Sequence, residues 1–214
     1  MNAYSEIVKY ANETCRFSGN INTIVEQCQG LSAADDLYFE KVQEGGFCAL
    51  EYALRFYTQT SNPEFHDVVS WNSQTGWKSL FSSIVHNNFW SFAEDVFGNQ
   101  YIFWKSKVCM FEVETGCMTE LCDSFSQWLE LIVSSPNYYT GYSIAQQWNQ
   151  NNPSETLTAQ YNLSAIIPFV CGGEYSVSNV FRVDSVKNME LKADFARQIY
   201  NLPDGAQINF RFIP

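Results

Sequence analysis

Residues 89–104 read FWSFAEDVFGNQYIFW, and the spacing of their aromatic side chains decides the fold. Phe89, Ser91, Ala93 and Asp95 alternate with Trp90, Phe92 and Glu94. After the turn, Gln100, Ile102 and Trp104 alternate with Tyr101, Phe103 and Lys105. That two-residue period is the signature of a strand. Val96-Phe97-Gly98-Asn99 supplies the reversal between the two arms, because glycine and asparagine tolerate positive φ. Each large apolar side chain contributes roughly 1.5–3 kcal/mol when fully buried, so this hairpin is the expected centre of the core.

Downstream, Val108 to Val113 reads as a further strand, Glu114-Thr115-Gly116 as a turn, and Cys117 to Leu121 as the return strand. The period then changes. Ser124 and Gln127 have the form of a capping box, and Phe125, Trp128, Leu129 and Ile132 recur at i, i+3, i+4 and i+7, a helix that stops before Pro136. Upstream, Ile7, Tyr10, Ala11 and Thr14 mark a first helix, Ile21 to Cys28 a second, and Ser32 the cap of a third that ends at Gly45-Gly46. Phe47 to Tyr57 alternates throughout and reads as one continuous strand, with Cys48, Leu50, Tyr52, Leu54 and Phe56 opposite Ala49, Glu51, Ala53 and Arg55. Its mixed second face points to a sheet open to water on one side.

In the last third, Thr140 to Asn151 and Asp194 to Leu202 read as helices. Ile166 to Val170, Val180 to Val183 and Ile208-Phe210-Phe212 read as strands, with Pro203-Asp204-Gly205-Ala206 as a turn. Strands in sequence with helices gathered before and after them indicate an α+β fold. The expected architecture is an antiparallel curved sheet, a meander around the central aromatic hairpin, with helices packed on one side. Residues 1–135 form this domain, and residues 136–214 form a C-terminal α/β extension packed on it.

A chain of 214 residues with 46% hydrophobic and 16% aromatic content can bury a full core and is not intrinsically disordered. No apolar run reaches the roughly 18 residues of a membrane span. The opening MNAYSEIVKYANE has neither a basic region nor a continuous apolar segment, so a cytoplasmic location is expected. Seven cysteines, an odd number without close pairs, suit reduced thiols in that compartment.

Net charge is −11, and its placement matters more than its size. From Val108 to Phe181 there is no Lys or Arg, whereas Glu112, Glu114, Glu120, Asp123, Glu130, Glu155 and Glu174 all fall there. Such a field repels nucleic acid and anionic lipid and steers a basic partner. No P-loop, nucleophile elbow, dinucleotide fingerprint, zinc helix or close Cys/His set is present, so no enzyme, cofactor or metal is expected. A catalytic cysteine would have only His66 in a polar loop or His86 at a helix end as its base. Glu94 and Asp95 point to opposite faces of a strand and cannot share one acid–base site; Glu112 and Glu114 share a face. These four acids and Glu174 are the candidate partner-contact residues.

The sequence resembles the SUKH superfamily, bacterial toxin-immunity proteins related to a fungal cell-wall synthesis regulator. The resemblance runs through Phe92 to Phe103, Phe111 to Gly116 and Ser124 to Leu129. The segments Ile167 to Tyr175 and Leu202 to Ile208 are similar to a longer subgroup with a C-terminal extension. It implies an α+β domain that binds a partner without catalysis, the partner in many members being a secreted toxin, often a nuclease. The expectation is therefore an immunity protein that neutralises a cognate toxin with a basic surface, and contacts neither nucleic acid nor membrane. A housekeeping scaffold of the same fold is the alternative, an unrecognised enzyme the minor one.

Overall fold

The computed structural model describes residues 2–85, 88–203 and 205–207. His86, the turn residue Asp204 and the expected strand at Ile208, Phe210 and Phe212 lie outside the described residues. The chain folds as α1 (Ala3–Val8), β1 (Ala11–Cys15), α2 (Ile21–Gln27), α3 (Asp36–Glu44), β2 (Gly46–Ala49), β3 (Leu54–Phe56), α4 (Val68–Trp71) and α5 (Trp77–Leu80). The meander follows as β4 (Trp90–Asp95), β5 (Gln100–Trp104), β6 (Lys107–Glu112) and β7 (Cys117–Cys122). It is succeeded by α6 (Phe125–Ser134), α7 (Pro136–Thr140), α8 (Tyr142–Asn151), β8 (Tyr161–Ala165), β9 (Val180–Asp184) and α9 (Ser185–Ile199). The fold is α+β: β1 to β7 form an antiparallel sheet in sequence order, open at both ends, and β8 and β9 pair separately.

The aromatic hairpin lies in this sheet between β3 and β6. Its face toward α3 and α6 carries Phe92 and Phe103, stacked at 4.3 Å, with Tyr38, Phe125 and Trp128 packed edge-on against Phe92. Ring pairs in such offset and edge-to-face arrangements add about 0.5–1.5 kcal/mol each beyond their buried area. Ser124 caps α6 by accepting from the Gln127 amide, and Gln127 Oε1 reaches back to the Asp123 amide, a capping box displaced by one residue at its return bond.

A β-bulge between Ser91 and Ala93 changes the alternation of this strand. One extra residue puts Phe92 against α6 and Glu94 on the opposite face, although strict alternation keeps them together. The opposite face is covered as well. Trp71 and Trp77 of α4 and α5, the β8–β9 pair and α9 close over it, so Arg55, Glu94, Gln100 and Ile102 are all buried. The water-facing side expected from Phe47 to Tyr57 is thus an interior.

That segment is also two strands rather than one. Leu50, Glu51 and Tyr52 all take positive φ, 57°, 57° and 64°, and reverse the chain so that Phe47 pairs with Phe56 and Cys48 with Arg55. A non-glycine residue in this region costs about 1–2 kcal/mol. The turn is held from outside, by the Tyr10 carbonyl on the Leu50 amide and Asn12 Oδ1 on the Tyr52 amide. Eleven alternating residues fit a strand and a hairpin equally well, and no glycine marks the reversal.

Other boundaries moved for similar reasons. Residues 11–15, expected to be helical, leave α1 to pair with β2. Asp35, not Ser32, caps α3. The strand expected at Ile166 to Val170 occurs instead at Tyr161–Ala165, and residues 169–171 form a 3-10 turn. The last helix starts at Ser185, capped by Asp184. Residues on both sides of position 135 belong to one continuous apolar core.

Candidate functional site: an acidic cleft at the hairpin turn

Gly98, at φ 85°, lets the hairpin reverse within four residues, and Asp95 organises that reversal. Its Oδ1 accepts from the Phe97 and Asn99 amides, both at 2.9 Å, and its Oδ2 from Asn99 Nδ2 at 2.8 Å. Burial pushes the Asp95 carboxyl up to about 7, although the three donated hydrogen bonds pull the other way. The C-terminal third grips the same turn. The Leu163 amide donates to the Val96 carbonyl at 2.8 Å, Asn188 Nδ2 to the Phe97 carbonyl at 2.9 Å, and the Val96 amide to the Thr140 carbonyl.

Beside this turn lies a cleft of about 390 Å³. Asp95 ends β4 and Asn99 belongs to the hairpin turn, Glu112 ends β6, Glu114 and Thr115 lie in the β6–β7 turn, Tyr138 and Gly141 come from around α7, and Phe169, Val170 and Tyr175 from the loop after β8. Three carboxylates and no Lys or Arg line it. Phe97, Phe169 and Tyr175 form a ring cluster with centroids 5.1–5.5 Å apart. Tyr138 and Tyr175 remain 81% and 52% exposed.

Glu114 is 8% exposed. Its Oε2 lies 3.4 Å from Nζ of Lys192 on α9, and its Oε1 has no partner among the described residues. Burial holds the Lys192 ammonium below its ordinary value, partly offset by Glu114. Glu112, half-buried, accepts from the Thr115 hydroxyl at 3.2 Å.

Of the five acids singled out from the sequence, the structure brings Asp95, Glu112 and Glu114 together in this cleft. Glu174 is exposed next to Tyr175 but does not line it. Glu94 is corrected: at 1% exposure it cannot touch a partner. Instead its Oε1 pairs with Arg55 Nη1 at 2.8 Å, and its Oε2 accepts from Gln100 Nε2 at 2.9 Å. Gln100 Oε1 in turn accepts from Trp71, Tyr57 and Ser91. Arg55 Nη2 also donates to the Tyr161 carbonyl, so this network ties the central sheet to β8. Burial pushes the Glu94 carboxyl up, but Arg55 and His66 beside it, with hydrogen bonds from Arg55 and Gln100, hold it below the ordinary value.

Sequence reading missed the aromatic wall of the cleft. Phe169 and Tyr175 lie far from the hairpin in the chain, and nothing in their own spacing points back to it. His66, read from the sequence as a polar-loop residue, instead packs inward: its Nε2 lies 2.9 Å from the Ser185 hydroxyl and its ring stacks on Trp71 at 3.8 Å. Ser185 is buried at the start of α9, so this hydroxyl faces the interior rather than a cleft. All seven cysteines are free thiols. Among the described residues no group of three or more His, Cys, Asp or Glu is arranged to hold a metal ion, and no helix is long and apolar enough to cross a membrane.

No protein-family model matches the chain. No curated protein matches it either. A solved structure does: the crystal structure of Atu4351 from Agrobacterium tumefaciens superposes with a TM-score of 0.57 over 87% of this chain and 86% of that one, at 12% identity. At that identity the likeness is one of fold.

Proposed function

We propose that this chain is a non-catalytic binding protein of the immunity type, which neutralises a cognate protein toxin in the cytoplasm by occupying a basic surface on it. The observation that carries the reading is the cleft: Asp95, Glu112 and Glu114 in a lining without Lys or Arg, edged by Tyr138 and Tyr175, with Lys192 outside the lining paired to Glu114 and both glutamates in the base-free segment. Tyrosine is enriched among the residues that carry binding energy at protein interfaces. A nuclease is cationic where it grips phosphate, so an acidic inhibitor can hold the same ground. The SUKH resemblance of residues 92–129 supports the same conclusion, and the free thiols suit a reducing compartment.

The test is co-expression with a toxin module from a large secreted protein encoded directly upstream, the gene arrangement this reading expects. Rescue of growth, together with a co-purifying complex that weakens between 50 and about 300 mM salt as exposed charge pairs are screened, is the expected result. Failure to rescue, with no complex at low salt, overturns the reading. A tight complex indifferent to salt would leave inhibition standing and remove its electrostatic basis.

A further inference from the structure

We propose that the loop after β8, residues 166–175, is a preformed docking knob that sets its exposed apolar side chains into a protein partner whose receiving surface is edged by lysine or arginine. This rests on the partner-binding reading above and names the surface and the contact chemistry which that reading leaves open.

Its composition is the first observation. The chain there reads Ile166-Ile167-Pro168-Phe169-Val170, and Ile166, Ile167 and Val170 stand 43%, 53% and 52% exposed. Tyr175 at the far end of the loop and Tyr138 of α7 line the same cleft as Val170 and are exposed beside it. Apolar side chains exposed singly are ordinary on a protein surface, whereas a run of them next to two tyrosines is a patch of the kind that marks an interaction site.

The loop is also held in shape. Asn179, itself buried, accepts from the Ile167 amide at 2.9 Å and donates to the carbonyls of Ile167 and Glu174 at 2.9 and 3.0 Å. The Ile166 amide donates to the Asn179 carbonyl at 2.7 Å, and the amides of Cys171 and Gly173 both reach the Pro168 carbonyl. Phe169 packs edge-on against Phe97 in the hairpin turn. Gly173 passes so near Ile167 that a Cβ on it would stand 1.9 Å from the Ile167 carbonyl oxygen. A segment fixed in this way has little conformational freedom left to lose on association, so more of the gain from covering its side chains appears as affinity.

Charge decides between the possible occupants. Glu174 is exposed within the loop and joins no ion pair among the described residues. The loop lies inside the stretch from Val108 to Phe181 that holds no Lys or Arg. The first base after it, Arg182, is turned to the Thr156 carbonyl and the Tyr161 ring. A second copy of the chain would set Glu174 against like charge, and an anionic lipid surface would repel it. A protein with an apolar recess edged by Lys or Arg complements both the loop's side chains and its charge.

The probe is a phage-displayed library of random peptides, panned at low salt on the full-length protein after depletion on the Ile167→Ser/Val170→Ser double variant. Both positions are exposed, so the variants should keep the parent's urea midpoint. The expected result is a set of peptides with an aliphatic or aromatic anchor flanked by Lys or Arg. Synthesised singly, they should bind the parent at least about tenfold more tightly than Ile167→Ser or Val170→Ser, and Glu174→Gln should weaken them about threefold. No enrichment, enriched peptides without basic residues, or equal binding to the parent and the serine variants would overturn the docking knob. So would a parent that is dimeric by light scattering and monomeric as Ile167→Ser, since a second copy would then cover the loop. Toxin rescue is read separately: a double variant that rescues as well as the parent discards this surface and leaves the immunity reading in place, whereas selected peptides beside a failed rescue keep the surface and discard the toxin.

Discussion

Replacing Arg55 by Met separates two accounts of Glu94. If Glu94 were a surface contact, the substitution would remove one distant charge and change stability by no more than about 0.5 kcal/mol. The structure instead buries both partners, Arg55 at 3% and Glu94 at 1% exposure, with Nη1 and Oε1 2.8 Å apart. Arg55→Met then leaves a carboxylate in the interior with only Gln100 and Asn162 as donors and strips the Tyr161 carbonyl of its guanidinium. Removing one member of such a pair costs about 3–5 kcal/mol. With a urea m-value of about 2–3 kcal/mol/M, the unfolding midpoint should fall by about 1–2 M. Glu94→Gln should cost a similar amount, because it strands the guanidinium. The double variant should lose clearly less than the two single losses combined, since each single change leaves a charge that the other removes. Simple additivity, or losses under 0.5 kcal/mol, would refute the buried hub. The pH dependence carries a sign as well. Glu94 is held below its ordinary value of 4.5, so it contributes stability above that pH, lost as pH falls through its folded value.

Asp95 has the opposite sign. Its carboxyl moves from 3.8 to about 7 on folding, so the folded state keeps a proton that the unfolded chain releases. The associated stability is complete below pH 3.8 and disappears as pH rises through 7. Comparing Asp95→Asn with the parent at pH 5 and pH 8 by urea unfolding cancels the His66 contribution common to both. The variant should gain about 2–3 kcal/mol relative to the parent over that interval, and a pH-independent difference would show that Asp95 is ionised in the fold throughout. Gly98→Ala should cost at least about 2 kcal/mol in thermal or urea unfolding. Its φ is 85° and a Cβ there would stand 2.9 Å from Asn188 Nδ2, adding crowding to the left-handed cost of about 1–2 kcal/mol. Trp128→Ala, which removes a ring packed on Phe92, Tyr101 and Phe125, should lose about 3–5 kcal/mol in urea unfolding.

Local signals were sufficient wherever the chain's own periodicity met a strong punctuation. The arms of the Phe89 to Trp104 hairpin, the strand pair before Ser124 and the capped helix after it are all where spacing and turn residues place them, because each is specified by neighbours within a few positions. The acids of the base-free stretch and its margin, Glu94, Asp95, Glu112, Glu114 and Glu174, were legible as a candidate group, and the fold brings Asp95, Glu112 and Glu114 of the five into one cleft. Only the tertiary structure decided the rest. The reversal at Leu50 to Tyr52 uses no glycine and is held by Tyr10 and Asn12. The bulge at Phe92 moves Glu94 to the other face, and the closure of that face depends on Arg55 meeting β8 more than one hundred residues away. Alternation tells which side chains share a face. Whether that face meets water or another layer is a property of distant chain segments, and that is why a carboxylate that looks like a surface contact in the sequence is an interior ion-pair partner in the fold.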